Sequence, residues 1–342
     1  MSPTGGVGMS AAMFGSVEAG LIYAVMALGV YLSFRVLDFP DLTVDGSFVT
    51  GASVAAVLIT GGADPFAASA AALAAGFAAG ALTGLLHTKG KINPLLSGIL
   101  MMIALYSINL RIMGKSNVPL LQQETVITKI TAAWRQSGLD ETLNKLFSFT
   151  GFAPRTWAVL VSMAVVALVV KWLLDWLLKT EVGIALRATG DNKPMVASFS
   201  ANTDWLIVFG LGLSNALVAL SGALVAQYGG FSDVGMGIGM IVIGLASVII
   251  GEALFGARSV ARATWAVIGG AIVYRLILAL ALRVEFLETG DVKLITAAIV
   301  ILALIVPNVA AAQKEKQRKK RKAAQLERGE TVAGAKTNYK SI

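Results

Sequence analysis

Residues 180–194 read Thr180-Glu181-Val182-Gly183-Ile184-Ala185-Leu186-Arg187-Ala188-Thr189-Gly190-Asp191-Asn192-Lys193-Pro194. This charged segment separates two long apolar runs in a chain that is otherwise strongly apolar. Its apolar residues favour a short helix with one apolar side, and Pro194 is placed to open a second helical turn. Two interpretations stay open at this point. The segment is either a solvated loop between membrane helices or the place where a separate soluble motor contacts a membrane protein.

The composition is that of an integral membrane protein. Mean hydropathy is +0.75, and 56% of the 342 residues are hydrophobic while only 14% are charged, which is far from a soluble domain. The 36 glycines are typical of membrane helices that approach one another closely. Since the chain has no cysteine, disulfides, iron–sulfur clusters and thiolate metal sites are excluded.

Apolar runs of about 20 residues predict membrane-spanning helices. We expect about nine, which makes the fold an all-α integral membrane protein. The predicted spans are 16–35, 44–61, 66–86, 93–113, 156–178, 204–228, 238–256, 263–282 and 292–311. Between the fourth and fifth spans, residues 139–146 predict a short interfacial helix.

Lysine and arginine mark the cytoplasmic side of a membrane protein. Basic residues follow the third, fifth, seventh and ninth predicted spans, at Lys89, Lys91, Lys179, Arg187, Lys193, Arg258, Arg262 and the run 314–322. If the spans alternate, the N-terminus is outside and the C-terminus cytoplasmic. The net charge of +8 is concentrated in the tail, which favours contact with anionic lipid over nucleic acid. We therefore expect a transmembrane domain over 1–312 and a disordered basic cytoplasmic tail over 313–342.

Two similar strings suggest an internal repeat. Residues 39–46 follow the first span and residues 231–237 follow the sixth, and each string precedes a span rich in glycine and alanine. Because the two connections fall on opposite sides, the units 16–113 and 204–311 would be inverted repeats joined by the fifth span and the segment 179–203. Such repeats in transporters flank the substrate path. A chance match between two short strings is the alternative.

The first of these strings carries the candidate path or gate residues. Asp38, Asp41 and Asp45 cluster there beside Pro40, and acids near a membrane core are costly and usually functional. In the alternative interpretation they lie in water at the interface, where one of them caps the second helix.

Three more polar residues are candidates for the path. Asn215 and Gln227 lie in the sixth span, and Asp233 lies in the second string. Hydrogen bonding between helices is the more ordinary role for Asn215 and Gln227.

No catalytic or nucleotide-binding motif is recognisable. Gly114-Lys115-Ser116 resembles the end of a phosphate-binding loop, but the first glycine of that pattern would be at position 109, which is Asn109. We expect no metal and no cofactor on this chain. If ATP drives the protein, another chain binds ATP and Mg²⁺ and hydrolyses the nucleotide.

Two stretches resemble the membrane permease subunit of bacterial ABC importers, of the branched-chain amino acid and sugar permease type. The first comprises residues 19–30 with Phe34 and then 37–48, which contains Phe39-Pro40-Asp41-Leu42-Thr43-Val44-Asp45-Gly46. It is similar in particular to the sub-branch of tryptophan and tyrosine importers. The second is Glu181-Val182-Gly183 with residues 187–192, and the likeness covers about residues 15–310.

The resemblance implies a location in a bacterial plasma (inner) membrane, a type II-importer-like fold and a set of partners. These are a second permease, either an identical copy in a homodimer or a close relative, a pair of ATP-hydrolysing cytoplasmic subunits, and a periplasmic or lipid-anchored substrate-binding protein. It also implies a coupling helix at 183–200 that contacts the ATPase, with Gly183, Arg187, Ala188, Gly190, Asp191, Asn192 and Ala197 as its residues.

The substrate expectation rests on one departure from the broader family. Many of its members have an Asn-Phe-Ala-His-Gly-like string where this chain has residues 38–42. An aromatic or other small amino acid is therefore expected in place of a branched-chain one.

Two other function classes fit the sequence less well than an importer permease. An ion-coupled secondary transporter with inverted repeats would keep ionisable residues well inside its helices, whereas most here gather at span ends, with Arg275 as the exception. A membrane-embedded enzyme would need an acid–base pair or a metal-ligand set, and the sequence has no such constellation.

Overall fold

The computed structural model describes residues 4–146, 156–282, 294–299, 301 and 305, and most of them are helical. The chain divides into a unit over residues 1–297 and a second unit from 298 onward, of which only four helical residues are described. Most of the ninth predicted span and the whole predicted tail, 313–342, lie outside the described residues.

The first unit contains eleven labelled helices. In chain order they are α1 Thr4–Tyr31, α2 Thr43–Thr60, α3 Pro65–Thr88, α4 Pro94–Met113, α5 Val126–Ser137, α6 Leu139–Leu146, α7 Ala158–Leu177, α8 Glu181–Ser198, α9 Thr203–Gly229, α10 Met240–Phe255 and α11 Val260–Ala281. A π-helical turn, Leu32–Val36, continues α1. Two short strands, β1 Asn117–Pro119 and β2 Phe231–Asp233, pair antiparallel.

The membrane spans predicted from the sequence are confirmed in number and place for most of the described chain. Seven helices are long and apolar enough to cross a membrane, and they match the predicted spans one to six and eight. The seventh predicted span corresponds to α10, which has only 16 residues. The short helix predicted at 139–146 is α6.

Helix α10 is short because the chain before it turns within the bundle. Gly239 has a positive φ of 88°, which glycine adopts without a steric penalty. The Asp45 carboxylate then accepts hydrogen bonds from the backbone N–H groups of Gly239 (2.9 Å) and Ile241 (2.8 Å). These are N–H groups that a helix N-terminus leaves unpaired. A side chain on α2 therefore determines where α10 begins.

Helix α9 is the centre of the bundle and packs against α3, α2 and α1, while α11 packs against α10 and α1. Glycines allow the closest approaches. A Cβ on Gly51 of α2 would overlap the Ala219 carbonyl of α9, and a Cβ on Gly222 of α9 would overlap the Phe48 carbonyl of α2. Backbones held this close gain dispersion contacts that lipid cannot replace.

The bundle has two ends, which we name by their contents. The sheet end carries β1, β2, α5 and α6, with Val118 opposite Ser232 in the sheet. The Lys129 ammonium donates to the exposed Asp64 carboxylate (2.6 Å) there, and this contact lowers the pKa of Asp64. The α8 end, at the opposite side of the long helices, carries α8 and the π-helical turn.

Buried hydrogen bonds connect α9 to its neighbours. Asn215 donates through Nδ2 to Asp41 Oδ2 (2.6 Å), and both residues are fully buried. Asp41 Oδ1 accepts from the Thr43 N–H at the start of α2 (2.9 Å). The Ser214 hydroxyl donates to the Gly29 carbonyl of α1 (2.7 Å). Because Asn215 lies mid-helix in α9, the Asp41 connection lies within the bundle and not at its surface.

We expect Gly222→Ala to destabilise the protein, since the added Cβ must displace the Phe48 carbonyl. Overpacking of this kind costs about 1–3 kcal/mol. Thermal unfolding of the detergent-purified chain, followed by loss of the monodisperse peak on gel filtration, measures the effect.

Gly229→Ala is the matched control on the same helix, because the nearest atom to a Cβ there, Phe231 Cε1, is 3.8 Å away. Alanine in a helix is favoured over glycine by about 1 kcal/mol, so this variant should be as stable as the wild type or more stable. Equal melting of the two variants would contradict the close-packing account.

Asp41→Ala should destabilise the fold by about 1–3 kcal/mol, because it leaves a buried amide and a helix-initiating N–H without their acceptor. Asp41→Asn should be milder, since its Oδ1 can still accept from the Thr43 N–H and the Asn215 amide can rotate to present oxygen. The same melting assay tests this order. Similar losses in both variants would show that the negative charge, and not the hydrogen bonds, matters.

Candidate functional site

Helix α8 contains all seven residues expected to contact an ATPase. The Thr180 side chain accepts a hydrogen bond from the Gly183 N–H (3.3 Å) and caps its start. Asn192 has a non-helical backbone (φ −152°, ψ 83°) and divides α8 into two pieces. Its side chain accepts from the Met195 N–H (3.1 Å) and so caps the second piece, in which Pro194 lies near the first turn. The second turn predicted from the sequence is therefore confirmed.

One side of α8 is packed into the bundle. Leu186 is fully buried in the main apolar core. Gly183 is buried against the end of α7, where a Cβ would overlap the Leu177 carbonyl, and a Cβ on Gly190 would overlap the Val36 carbonyl. The glycines among the predicted coupling residues are thus points of close contact between α8 and the rest of the bundle.

The other side of α8 is exposed. It carries both charges and apolar groups, which are Glu181, Ile184, Arg187, Asp191, Asn192, Met195, Ala197 and Phe199. Phe199 is 77% exposed and Ile184 56%. A mixed surface with exposed large apolar side chains is typical of a contact with another protein.

A break in the helical backbone lies directly against α8. The π-helical turn Leu32–Val36 ends α1, and the Leu37 N–H donates to the Leu32 carbonyl (3.1 Å). Asp38 follows with φ 51°, a left-handed conformation that is uncommon for residues other than glycine. Insertions of this kind are frequent at functional sites. The break at the end of α1 therefore lies where Gly190 of α8 contacts the backbone of Val36 and Leu37.

A cavity of about 630 Å³ opens between the break and α8. Its lining includes Tyr31, Arg35 and Asp38 from the α1 side and Arg187, Ala188 and Asp191 from α8. Arg35 donates to Glu252 of α10 through Nε (2.9 Å to Oε1) and also through Nη2 to Oε2. The cavity thus lies between α8 and the end of α1, and Arg35 in its lining connects that end of α1 to α10.

The acidic cluster predicted at 38–45 divides into three environments. Asp38 is exposed in the α8-end cavity. Asp41 is fully buried against Asn215. Asp45 is half-buried and caps α10. Pro40 is half-buried between Asp38 and Asp41. The interpretation in which all three acids lie in interfacial water is wrong for Asp41, since its carboxylate is hydrogen-bonded inside the bundle.

The other predicted path residues lie apart from one another. Asn215 contacts Asp41, and its own Oδ1 is buried without a hydrogen-bond partner among the described residues. Gln227 lies at the sheet end, where it accepts from the Val126 N–H (2.8 Å) and donates to Ser69 (2.9 Å). Asp233 accepts from the Gly235 N–H (2.8 Å). Gln227 and Asp233 therefore shape the sheet end, and a role in the path stays a prediction for all three.

Sequence reasoning missed a buried ion pair. Lys171 donates to Asp175 (2.5 Å) on α7, and the other Asp175 oxygen accepts from Thr264 of α11 (2.7 Å). The Lys171 ammonium also lies 4.9 Å from the Trp265 ring centroid. Opposite charges four residues apart inside an apolar span are a detectable signal. These contacts of Lys171 and Asp175 hold α7 against α11.

Comparisons with known proteins agree with this architecture. Residues 12–306 match the model of the family described as "Branched-chain amino acid transport system / permease component". The chain is 42% identical to the tyrosine transport system permease protein of Clostridioides difficile (strain R20291), over 84% of this chain and 89% of that protein. It is 33% identical to an uncharacterized protein of Rickettsia prowazekii (strain Madrid E), over 60% of this chain and 64% of that protein.

A solved structure gives a weaker likeness. It is a metal-chelate type ABC transporter in an inward-facing conformation, with 16% identity, a TM-score of 0.45 and coverage of 88% of this chain and 85% of that one. This similarity is too low to support an inference about this chain. The family model, by contrast, covers most of the sequence. The chain therefore belongs to the family of permease components of branched-chain amino acid transport systems.

Proposed function

We propose that this permease imports an aromatic amino acid, tyrosine foremost, across a bacterial plasma membrane, and that movements of α8 drive the transport. The observation that carries the mechanism is the placement of α8. One side is exposed and suited to a soluble partner, while the other presses on the break in α1. The substrate rests on the name of the 42% identical relative and on the string at 38–42.

The exposed side of α8 is the surface for the ATP-binding subunit. Arg187 and Asp191 provide charges of both signs, and Ile184, one turn before Arg187, provides apolar area. The partner binds and hydrolyses ATP with Mg²⁺, and this chain has no ATPase site and no cofactor of its own. In this arrangement α8 lies on the cytoplasmic side, which puts the N-terminus outside and the C-terminus inside.

The packed side of α8 transmits the movement. Gly190 contacts the backbone of Val36 and Leu37, so that a shift of α8 must displace the π-helical turn. Arg35 in that turn is paired with Glu252 of α10, and the following segment leads to Asp41 and Asp45. The chain of contacts therefore runs from α8 to both helices that begin inside the bundle, α2 and α10.

The remaining partners follow from the transport role. A second copy of the permease, in a homodimer, encloses the path, and a binding protein delivers substrate at the sheet end. The basic tail lies against anionic lipid, and nucleic acid is not a partner. An ion-coupled secondary transporter is disfavoured, because such a protein has no use for the exposed side of α8.

Arg187→Glu should reduce ATP-driven uptake of labelled tyrosine at least tenfold, because it reverses the charge at the centre of the α8 surface. The fold should be intact, since Arg187 is exposed. Uptake into proteoliposomes that contain the permease and its ATPase, with the substrate-binding protein supplied, measures the effect, and co-purification of the ATPase reports on docking.

Lys115→Glu is the control for this experiment. It makes the same charge change at an exposed residue of the sheet end, where the ATPase does not bind. It should leave ATPase co-purification unchanged. Wild-type uptake by the Arg187→Glu variant would contradict the proposed role of α8.

A further inference from the structure

A groove on the side of the bundle has the features of a ligand site. It encloses about 430 Å³ between α4, the start of α2 and the turn before α10, a size within the usual range for small-molecule pockets. Its lining is largely apolar and includes Val49, Met102, Ile103, Tyr106 and Ile238. The groove is separate from the cavity beside α8.

The polar groups of the groove are few. Asn109 is 1% exposed and donates through Nδ2 to the Gly46 carbonyl (3.1 Å). Since a carbonyl can only accept, this contact fixes the orientation of the amide. Asn109 Oδ1 is then buried without a hydrogen-bond partner among the described residues. A buried acceptor left unpaired is unfavourable, and a ligand donor would satisfy it.

The second polar group is the Asp45 carboxylate. Each of its oxygens accepts one backbone N–H, and a carboxylate has about four acceptor positions in total. Asp45 also lines the groove, so acceptor capacity is left at a residue that borders it. With Asn109 Oδ1 it forms a cluster of acceptors suited to a cation with several N–H donors, such as an α-ammonium group.

We propose that this groove is the membrane-embedded site for the transported amino acid, with the α-ammonium directed to Asp45 and Asn109 and a large aromatic side chain among Val49, Ile103 and Tyr106. This proposal rests on the proposed import function and names the place where that substrate binds. Tyr106 supplies an aromatic ring for stacking with the substrate ring.

The open side of the groove fits the proposed second copy. Ile103, Tyr106 and Ile238 are each more than half exposed, so one chain forms only part of the enclosure. A second copy that covers these residues would complete it and exclude lipid. The site also borders Asp45 and Gly237, and a Cβ on Gly237 would overlap the Asp45 carbonyl. A displacement of α10 relative to α2 would therefore change the groove.

The chain's lack of cysteine permits a direct test. Single variants Ile103→Cys and Ile108→Cys introduce thiols on the same helix, at residues that are both exposed, but only Ile103 lines the groove. The permease with its ATPase and its substrate-binding protein, in proteoliposomes, is labelled with a membrane-permeant maleimide in the presence of L-tyrosine, L-phenylalanine, glycine or L-glutamate. Uptake of labelled tyrosine by the wild-type complex is measured in parallel.

At a ligand concentration about ten times Kd, bound ligand should slow labelling at Ile103→Cys about tenfold, since the free fraction falls as 1/(1 + [L]/Kd). Tyrosine and phenylalanine should protect, glycine and glutamate should not, and Ile108→Cys should be insensitive to all four. Adding Asn109→Ala to the Ile103→Cys chain should weaken protection, with gel filtration as the check on folding.

The outcomes test the groove as a binding site and the proposed import function independently of each other. Uptake by the wild type without protection at Ile103→Cys would overturn the groove and leave the import function in place. Protection without ATP-driven uptake would support the groove and overturn the import function. Equal protection of both thiols would overturn the groove as a specific site.

Discussion

Backbone N–H and C=O groups inside a membrane must all find partners within the protein, and this constraint explains the most unusual parts of the bundle. In the part of the chain that the structure describes, helices begin inside the bundle at two places, α2 and α10. Each of these helix starts is satisfied by an aspartate: Asp41 accepts from the Thr43 N–H, and Asp45 accepts from Gly239 and Ile241. The two carboxylates therefore take the place of the preceding helical turns, and the irregular segments are tolerated because they are buried in protein.

Most helices could be predicted from the sequence, whereas contacts between residues remote in sequence could not. Apolar runs of about 20 residues identify spanning helices by length alone, so α2, α3, α4 and α9 lie close to their predicted bounds. Helix α10 begins at Met240 and not at 238 because of a hydrogen bond to Asp45, which is remote in sequence. The role of Asn109 could not be predicted for the same reason: its partner, Gly46, lies on another helix. Local sequence patterns carry no information about contacts between residues this far apart in the chain. The inverted repeat stays a prediction.

The distribution of packing determines which parts can move. Glycine contacts hold α9 against α2 and α3 backbone to backbone, and close-packed interfaces of this kind resist sliding. The end of α1 is different, since it has a π-helical turn and a left-handed Asp38. Its link to α10 is the pair Arg35–Glu252, whose arginine side chain is 57% exposed. The Glu252 side chain is 15% exposed, so the pair is solvated mainly at its arginine end, and solvent weakens it relative to the backbone contacts of α9.

A displacement of α8 should then be transmitted through the more weakly packed end of α1 and not through α9. Helix α8 presses on Val36 and Leu37 through Gly190, and the rigid α9 core prevents the displacement from spreading into α2 and α3 as a whole. The displacement must be taken up by the segment between the π-helical turn and Asp45, and by the short helix α10. Asp45 holds one end of α10, and Arg35 contacts Glu252 near the other. Because the groove lies between α4 and these same elements, we expect its shape to depend on the position of α8. This would couple a soluble motor to a membrane-embedded site without any contact between the two.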